Sequence, residues 1–227
     1  MKFFDTLGTK PWLQNSEVED AIAANEGNTP LTAGRIALRF GLAVVGVLFF
    51  LFIITFLSRS QYPDFVALAG APWQPFTDAS QLWLNSGILL CASVALQTAL
   101  IGSRKARLNV VVVSVSATIF LTVLFLLAQF DLWLYLQSMG FYLNSNPANS
   151  YFYVLTAIHV LHLVGGLVAL SYVVFRLLRQ NGSATLSESL QLCATYWHFL
   201  FFIWMVLFGL LTSTPKTINA LAAMCGF

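Results

Sequence analysis

Five long, almost continuously apolar stretches dominate the chain, and short polar segments separate them. A helix that crosses a bilayer needs about 20 mostly apolar residues, and each of the five stretches is long enough. The pattern therefore predicts an all-α integral membrane protein, a bundle of five transmembrane helices. The predicted spans are residues 36–58, 81–102, 109–130, 149–176 and 189–213.

The polar segments at the two ends of the chain complete the predicted domain organisation. Residues 35–213 form one membrane domain without an internal repeat, and residues 214–227 form a tail after the last span. Residues 1–34 lack a continuous apolar region, so we predict no cleavable signal peptide. Within them, residues 16–19 read SEVE and fit a capping box, which predicts a short surface helix.

Lysine and arginine are concentrated on one side of the predicted bundle. Only Arg59 and Lys216 fall on the other side. The remaining nine lie on the side of the N-terminus: Lys2, Lys10, Arg35, Arg39, Arg104, Lys105, Arg107, Arg176 and Arg179. Because cytoplasmic loops carry the excess of positive charge, we predict that the N-terminus is inside and cytoplasmic and that the C-terminus is outside.

The two loops predicted to lie outside, residues 62–80 and 131–150, are rich in aromatic residues. Tryptophan and tyrosine are typical of the membrane–water interface. We interpret these loops as interfacial anchors, with a docking surface as the alternative.

Composition supports the membrane interpretation. The chain is 58% hydrophobic and only 9% charged, whereas soluble domains carry about 25% charged residues. The net charge is +2, and no basic run is longer than Arg104-Lys105, so nothing indicates a nucleic-acid partner. The three cysteines form no CxxC pattern, and we interpret them as packing residues rather than as a disulfide or zinc site.

All three histidines of the chain lie inside predicted spans. His159 and His162 occur in TAIHVLHLVGGL (156–167), and His198 lies in the fifth span. Positions i, i+3 and i+7 share one helix face, so Gly166 lies on the face of the histidine pair and allows another backbone to approach. Polar groups in lipid are costly, which makes the three imidazoles candidates for a function.

Three roles remain open for these histidines from the residues alone. Hydrogen bonding between helices is favoured, heme ligation by a pair of histidines is the alternative, and a metal site or proton path is a third. A metal site or a proton path usually includes membrane-embedded acids. The spans contain none apart from Asp131, at the predicted outer rim of the third.

Four segments together resemble a known family. WLNSGILLCASVAL (83–96), LLAQFDLWLYL (126–136), TAIHVLHLVGGL (156–167) and YWHFLFFIW (196–204) occur in this order. They resemble subunit III of the heme–copper (cytochrome c) oxidases, in a five-helix bacterial form. The resemblance implies that the three histidines are hydrogen-bond partners between helices: His159, His162 and His198. It implies packing roles for the other residues that match the family motifs: Gly166, Tyr196, Trp197, Phe199 and Trp204.

The resemblance implies a non-catalytic subunit of a terminal respiratory oxidase in a bacterial inner membrane. Such a subunit packs on and stabilises subunit I, the oxygen-reducing and proton-pumping chain, and assembles with subunit II. Heme and copper are then expected in the partner subunits and none in this chain. Phospholipid is a further candidate ligand, and a respiratory supercomplex a further candidate assembly. The electron donor would be cytochrome c or a quinol, in aerobic electron transport.

The sequence also departs from the family pattern. Phe201 stands where the family often has an aspartate, and the first span lacks the glutamate that is common there. The resemblance implies a form without the two N-terminal helices that, in larger members, form one wall of a lipid cleft. An accessory subunit of a nitric oxide reductase is therefore one alternative. A small membrane cytochrome b using His159 or His162 with His198 is another, and a small transporter is favoured least.

Overall fold

A computed structural model describes residues 29–66, 68, 80–179 and 183–226, and these residues form six helices and no strand. The helices are α1 (Thr29–Arg59), α2 (Ser80–Arg104), α3 (Leu108–Ser138), α4 (Pro147–Arg179), α5 (Ser183–Leu211) and α6 (Pro215–Met224). The first five are long and apolar enough to cross a membrane, with candidate spans Ala33–Arg59, Gln81–Arg104, Leu108–Ser138, Pro147–Phe175 and Leu186–Leu211. The predicted five-helix membrane fold is confirmed, whereas the predicted orientation stays a prediction. The predicted surface helix at 16–25 lies outside the described residues.

The chain divides into two compact units, Met1–Phe40 and Gly41–Phe227. In the first unit, the described residues 29–40 form the beginning of α1. All packing described below belongs to the second unit. There α2 packs against α3 and α5, and α4 packs against α5.

The core of the second unit consists of two clusters of buried side chains. One cluster centres on Phe125, Trp204 and Leu207. The other surrounds Leu96 and Trp197. Because lipid tails are as apolar as leucine, these contacts stabilise the bundle by close packing rather than by removal from water.

Helix α3 is longer than the sequence predicted, so the prediction of a loop over residues 131–150 is wrong for its first eight residues. It is also wrong for its last four, which begin α4. The helix runs to Ser138 because Leu132 and Leu136, one turn apart, continue the buried face and are each only 3% exposed. It ends where Gly140 adopts a φ of +89°, and the Phe141 N–H donates to the Leu136 carbonyl at 3.0 Å. This is the glycine-dependent helix end that a non-glycine residue rarely forms.

The tail predicted over residues 214–227 contains a helix, α6, which the sequence analysis missed. Thr214 adopts an extended conformation before it, and Pro215 occupies its first turn, where a proline is tolerated. Ile218 and Ala222, one turn apart, are buried. The helix therefore packs one narrow face and exposes the rest.

Side-chain hydrogen bonds fix the connection that follows α1. Asn146, just before α4, accepts from the Val66 N–H at 3.2 Å and donates to the Val66 carbonyl at 2.5 Å. Arg59, at the end of α1, makes a two-pronged contact with Asp64. This hydrogen bond with Arg59 holds the pKa of Asp64 below its ordinary value. Residues 60–66, which follow α1, are thereby held at the start of α4.

Candidate functional site

His159 lies at the centre of the bundle and is fully buried. Three aromatic rings from three other helices surround its imidazole. The centroid distances are 6.5 Å to Phe49 of α1, 6.3 Å to Phe125 of α3 and 5.2 Å to Trp204 of α5. Neither ring nitrogen has a hydrogen-bond partner among the described residues. A hydrogen bond from this imidazole to a neighbouring helix therefore stays a prediction, and what the structure places here is an aromatic packing contact.

His162 lies one turn further along α4 and is half-buried. Its Nδ1 is 2.7 Å from the Ile158 carbonyl of the same helix. Because a carbonyl oxygen only accepts, Nδ1 carries the proton in this contact. The backbone of His162 makes the interhelical bond instead, since its carbonyl accepts from the Tyr196 hydroxyl of α5 at 2.9 Å.

Gly166 of α4 lies directly against two aromatic side chains of α5. A Cβ placed at this position would lie 2.8 Å from Cε1 of Tyr196 and 3.0 Å from Cζ3 of Trp197. Both distances are shorter than normal carbon–carbon contacts, so a side chain larger than hydrogen would force the aromatic rings apart. Glycine at this position lets the two aromatic side chains of α5 lie directly on the backbone of α4.

His198 lies apart from the other two histidines, on the exposed surface where α5 meets α2. Its Nε2 is 3.2 Å from Oε1 of Gln97, and its Nδ1 is 2.5 Å from the Ser93 hydroxyl. A carboxamide oxygen only accepts, so Nε2 donates to Gln97 and Nδ1 accepts from Ser93. His198 thus links two helices, and both its ring nitrogens are used in doing so.

Phe199 and Trp204 hold α5 against two further helices. The Phe199 ring lies 3.8 Å from the position that a Cβ would take at Gly46 of α1. The buried indole N–H of Trp204 donates to the Ser86 hydroxyl of α2 at 2.9 Å. The matched motif residues therefore all take part in helix–helix contacts in the structure.

The sequence analysis missed a buried polar contact between α2 and α3. Asn85 and Gln129 are both buried, and the Asn85 amide nitrogen lies 3.3 Å from Oε1 of Gln129. The available signal was the presence of two carboxamides inside apolar spans, because polar residues in membrane helices generally bond across helices. Both residues stood in the quoted motifs but were not singled out.

The structure does not bring the three histidines together. His198 is bonded to α2 at the surface, whereas the rings of His159 and His162 both pack on Phe49. Over the described ranges, no group of three histidine, cysteine or acidic side chains could hold a metal ion. The arrangement can join helices by hydrogen bonds and ring packing, and it shows no convergent set of groups around a reacting atom.

Comparison with known proteins places this architecture in a family. Residues 9–212 match the family model described as cytochrome c oxidase subunit III. The heme-copper oxidase subunit I+III of Aeropyrum pernix is 25% identical over 157 residues, which cover 68% of this chain and 19% of that protein. The probable cytochrome c oxidase subunit 3 of Mycobacterium leprae is 25% identical over 160 residues, which cover 70% of this chain and 76% of that protein.

A third relative extends the same match. The probable cytochrome c oxidase subunit 3 of Nocardia farcinica is 24% identical over 162 residues, which cover 70% of this chain and 76% of that protein. The family model spans most of the chain, including the five long helices from Thr29 to Leu211. The chain therefore belongs to the cytochrome c oxidase subunit III family.

Proposed function

We propose that this chain is a non-catalytic subunit III of a terminal respiratory heme–copper oxidase in a bacterial inner membrane. It packs on subunit I, the oxygen-reducing and proton-pumping chain, and stabilises it during turnover, with subunit II in the same complex. Heme and copper are held by those partners, and this chain supplies structure. The electrons come from cytochrome c or a quinol in aerobic electron transport.

The observation that carries this proposal is how the intramembrane polar groups are used. Trp204 bonds to Ser86, Tyr196 bonds to the backbone of His162, and His198 bonds to Ser93. Each of these hydrogen bonds joins two different helices. Polar groups used in this way fix the relative positions of helices in lipid, as a supporting subunit requires.

The names of the relatives support the choice of partner. The Aeropyrum pernix relative is a subunit I+III, a name that places both subunits on one chain. Where the two subunits are separate chains, the same pairing requires that this chain bind subunit I. The relatives from Mycobacterium leprae and Nocardia farcinica are likewise named as oxidase subunits. Among the described contacts, none favours a nitric oxide reductase instead, and the separation of His198 from His159 and His162 weakens the cytochrome b alternative.

Removal of this chain from the oxidase complex tests the proposal. We expect the complex without it to keep its heme absorbance and its initial turnover rate, because the chain holds no redox centre. Oxygen consumption should then decline after fewer turnovers than in the complete complex, because subunit I loses its supporting neighbour. The measurement is oxygen uptake followed to inactivation, with the number of turnovers per heme as the readout. An equal number of turnovers with and without the chain would contradict the proposal, as would loss of the hemes together with the chain.

A further inference from the structure

One face of α5 carries polar side chains on the outer surface of the bundle. Six exposed residues, spaced alternately four and three apart, define what we call the docking face: Gln191, Thr195, His198, Phe202, Met205 and Gly209. This spacing averages 3.6 residues, the period of the α-helix, so the six residues form one straight stripe along α5. The polar members occupy one half of the face and the apolar members the other.

The depth of these polar groups is unusual for a surface in contact with lipid. His198 lies twelve residues from Leu186 and thirteen from Leu211, the ends of its span, so it is at mid-membrane depth. At the corresponding depth, the exposed surface of α3 presents Val123 and that of α4 presents Leu161. Polar side chains inside membranes almost always face protein or water rather than lipid tails. The contrast indicates that protein covers the docking face.

Gln97 of α2, beside the docking face, requires a hydrogen-bond acceptor from whatever covers this face. Its Oε1 accepts from His198 Nε2–H at 3.2 Å. The two N–H donors of its carboxamide have no acceptor among the residues that the structure describes. Lipid tails offer no acceptor at this depth, whereas a side chain or carbonyl of another transmembrane helix does.

We propose that the docking face receives a transmembrane helix of the heme-bearing oxidase subunit, which brings a hydrogen-bond acceptor opposite Gln97. The inference rests on the proposed function and adds the surface through which the two subunits meet. A stripe that runs along the length of α5 fits a neighbouring helix that crosses at a shallow angle, as in most membrane bundles. Gly209 leaves room for close approach near one end of the stripe.

Two glycines provide a matched test of this surface. Gly209 lies on the docking face, whereas Gly165 is exposed on a different helix, α4. A Cβ at either position meets no heavy atom within 4 Å, so leucine fits the isolated chain at both. With an affinity tag on this chain, the heme that co-purifies from native membranes is measured per chain. We expect Gly209→Leu to lower this ratio about tenfold, because overpacking at a close contact weakens binding on that scale. We expect Gly165→Leu to leave the ratio unchanged.

The possible results distinguish a failure of the proposed docking face from a failure of the proposed function. If the unmodified chain retains no heme-bearing partner, the proposed function fails and the inference fails with it. If the unmodified chain retains heme but Gly209→Leu retains equally much, or if only Gly165→Leu lowers the ratio, the partner binds elsewhere and the docking face is wrong.

A photo-crosslinking amino acid provides a second readout that does not depend on weakening the complex. Placed at Phe202, which is 63% exposed, it should crosslink to the heme-bearing subunit. Placed at Leu161, which is 68% exposed on α4, it should crosslink only to lipid. A crosslink from Phe202 to a second copy of this chain, or to lipid alone, would overturn the proposal.

Discussion

Replacing Gly166 with leucine is expected to destabilise the bundle by about 3 kcal/mol, at the upper end of overpacking costs. The new Cβ alone would lie 2.8 Å from Tyr196 and 3.0 Å from Trp197. Trp197 is buried, so its ring has little room to move aside. Displacing Tyr196 would also break its hydrogen bond to the His162 carbonyl. Alanine at Gly166 should cost less, about 1 kcal/mol, because only one carbon must be accommodated.

The free energy of unfolding in mixed detergent micelles measures this effect. Gly165→Leu is the matched control, because its position is adjacent in sequence but a Cβ there meets no heavy atom within 4 Å. We expect the control to unfold like the unmodified chain. Equal destabilisation by the two variants would show that loss of a helix glycine, rather than the α4–α5 contact, is responsible.

Replacing Trp204 with alanine is the second change with a large expected effect, about 3–5 kcal/mol of unfolding free energy. The indole is 1% exposed, and its ring packs against Phe125 at 4.9 Å and His159 at 5.2 Å. Its removal would leave a cavity where α2, α3, α4 and α5 meet. It would also remove the hydrogen bond to Ser86.

Trp204→Phe separates these two contributions. Phenylalanine keeps most of the ring packing and loses the N–H that bonds to Ser86, so we expect a cost of about 1 kcal/mol. The same unfolding measurement applies to both variants. If phenylalanine were as destabilising as alanine, the hydrogen bond rather than the packing would be the main contribution of this residue.

The helices were predictable because their length in lipid is set by the bilayer. Each of the five spans had to supply about 20 apolar residues, and this requirement is visible in the sequence. The end of α3 was not predictable from the sequence, because Leu132 and Leu136 continue an apolar face into a region that also contains Asp131. Helix α6 was missed because a ten-residue amphipathic helix is too short to appear among transmembrane spans.

The environment of each histidine could not be predicted, because the spans are apolar on all sides. A helix with no polar face gives no indication of its rotation within a bundle. The sequence placed both His159 and His198 inside predicted spans. Only the packing distinguishes them, with His159 fully buried and His198 exposed beside α2. Gly166 was more predictable, since a glycine on the histidine face of an apolar helix is typical of a close helix contact.

The most direct test of the central claim, that this chain is a structural subunit of an oxidase and holds no heme of its own, is an absorption spectrum. The tagged chain is purified from native membranes with its partners, and the spectrum is recorded before and after the subunits are separated. We expect a heme Soret band in the complex that remains with the partner subunit after separation. A Soret band in the isolated chain that disappears in His198→Ala would contradict the account and favour a membrane cytochrome.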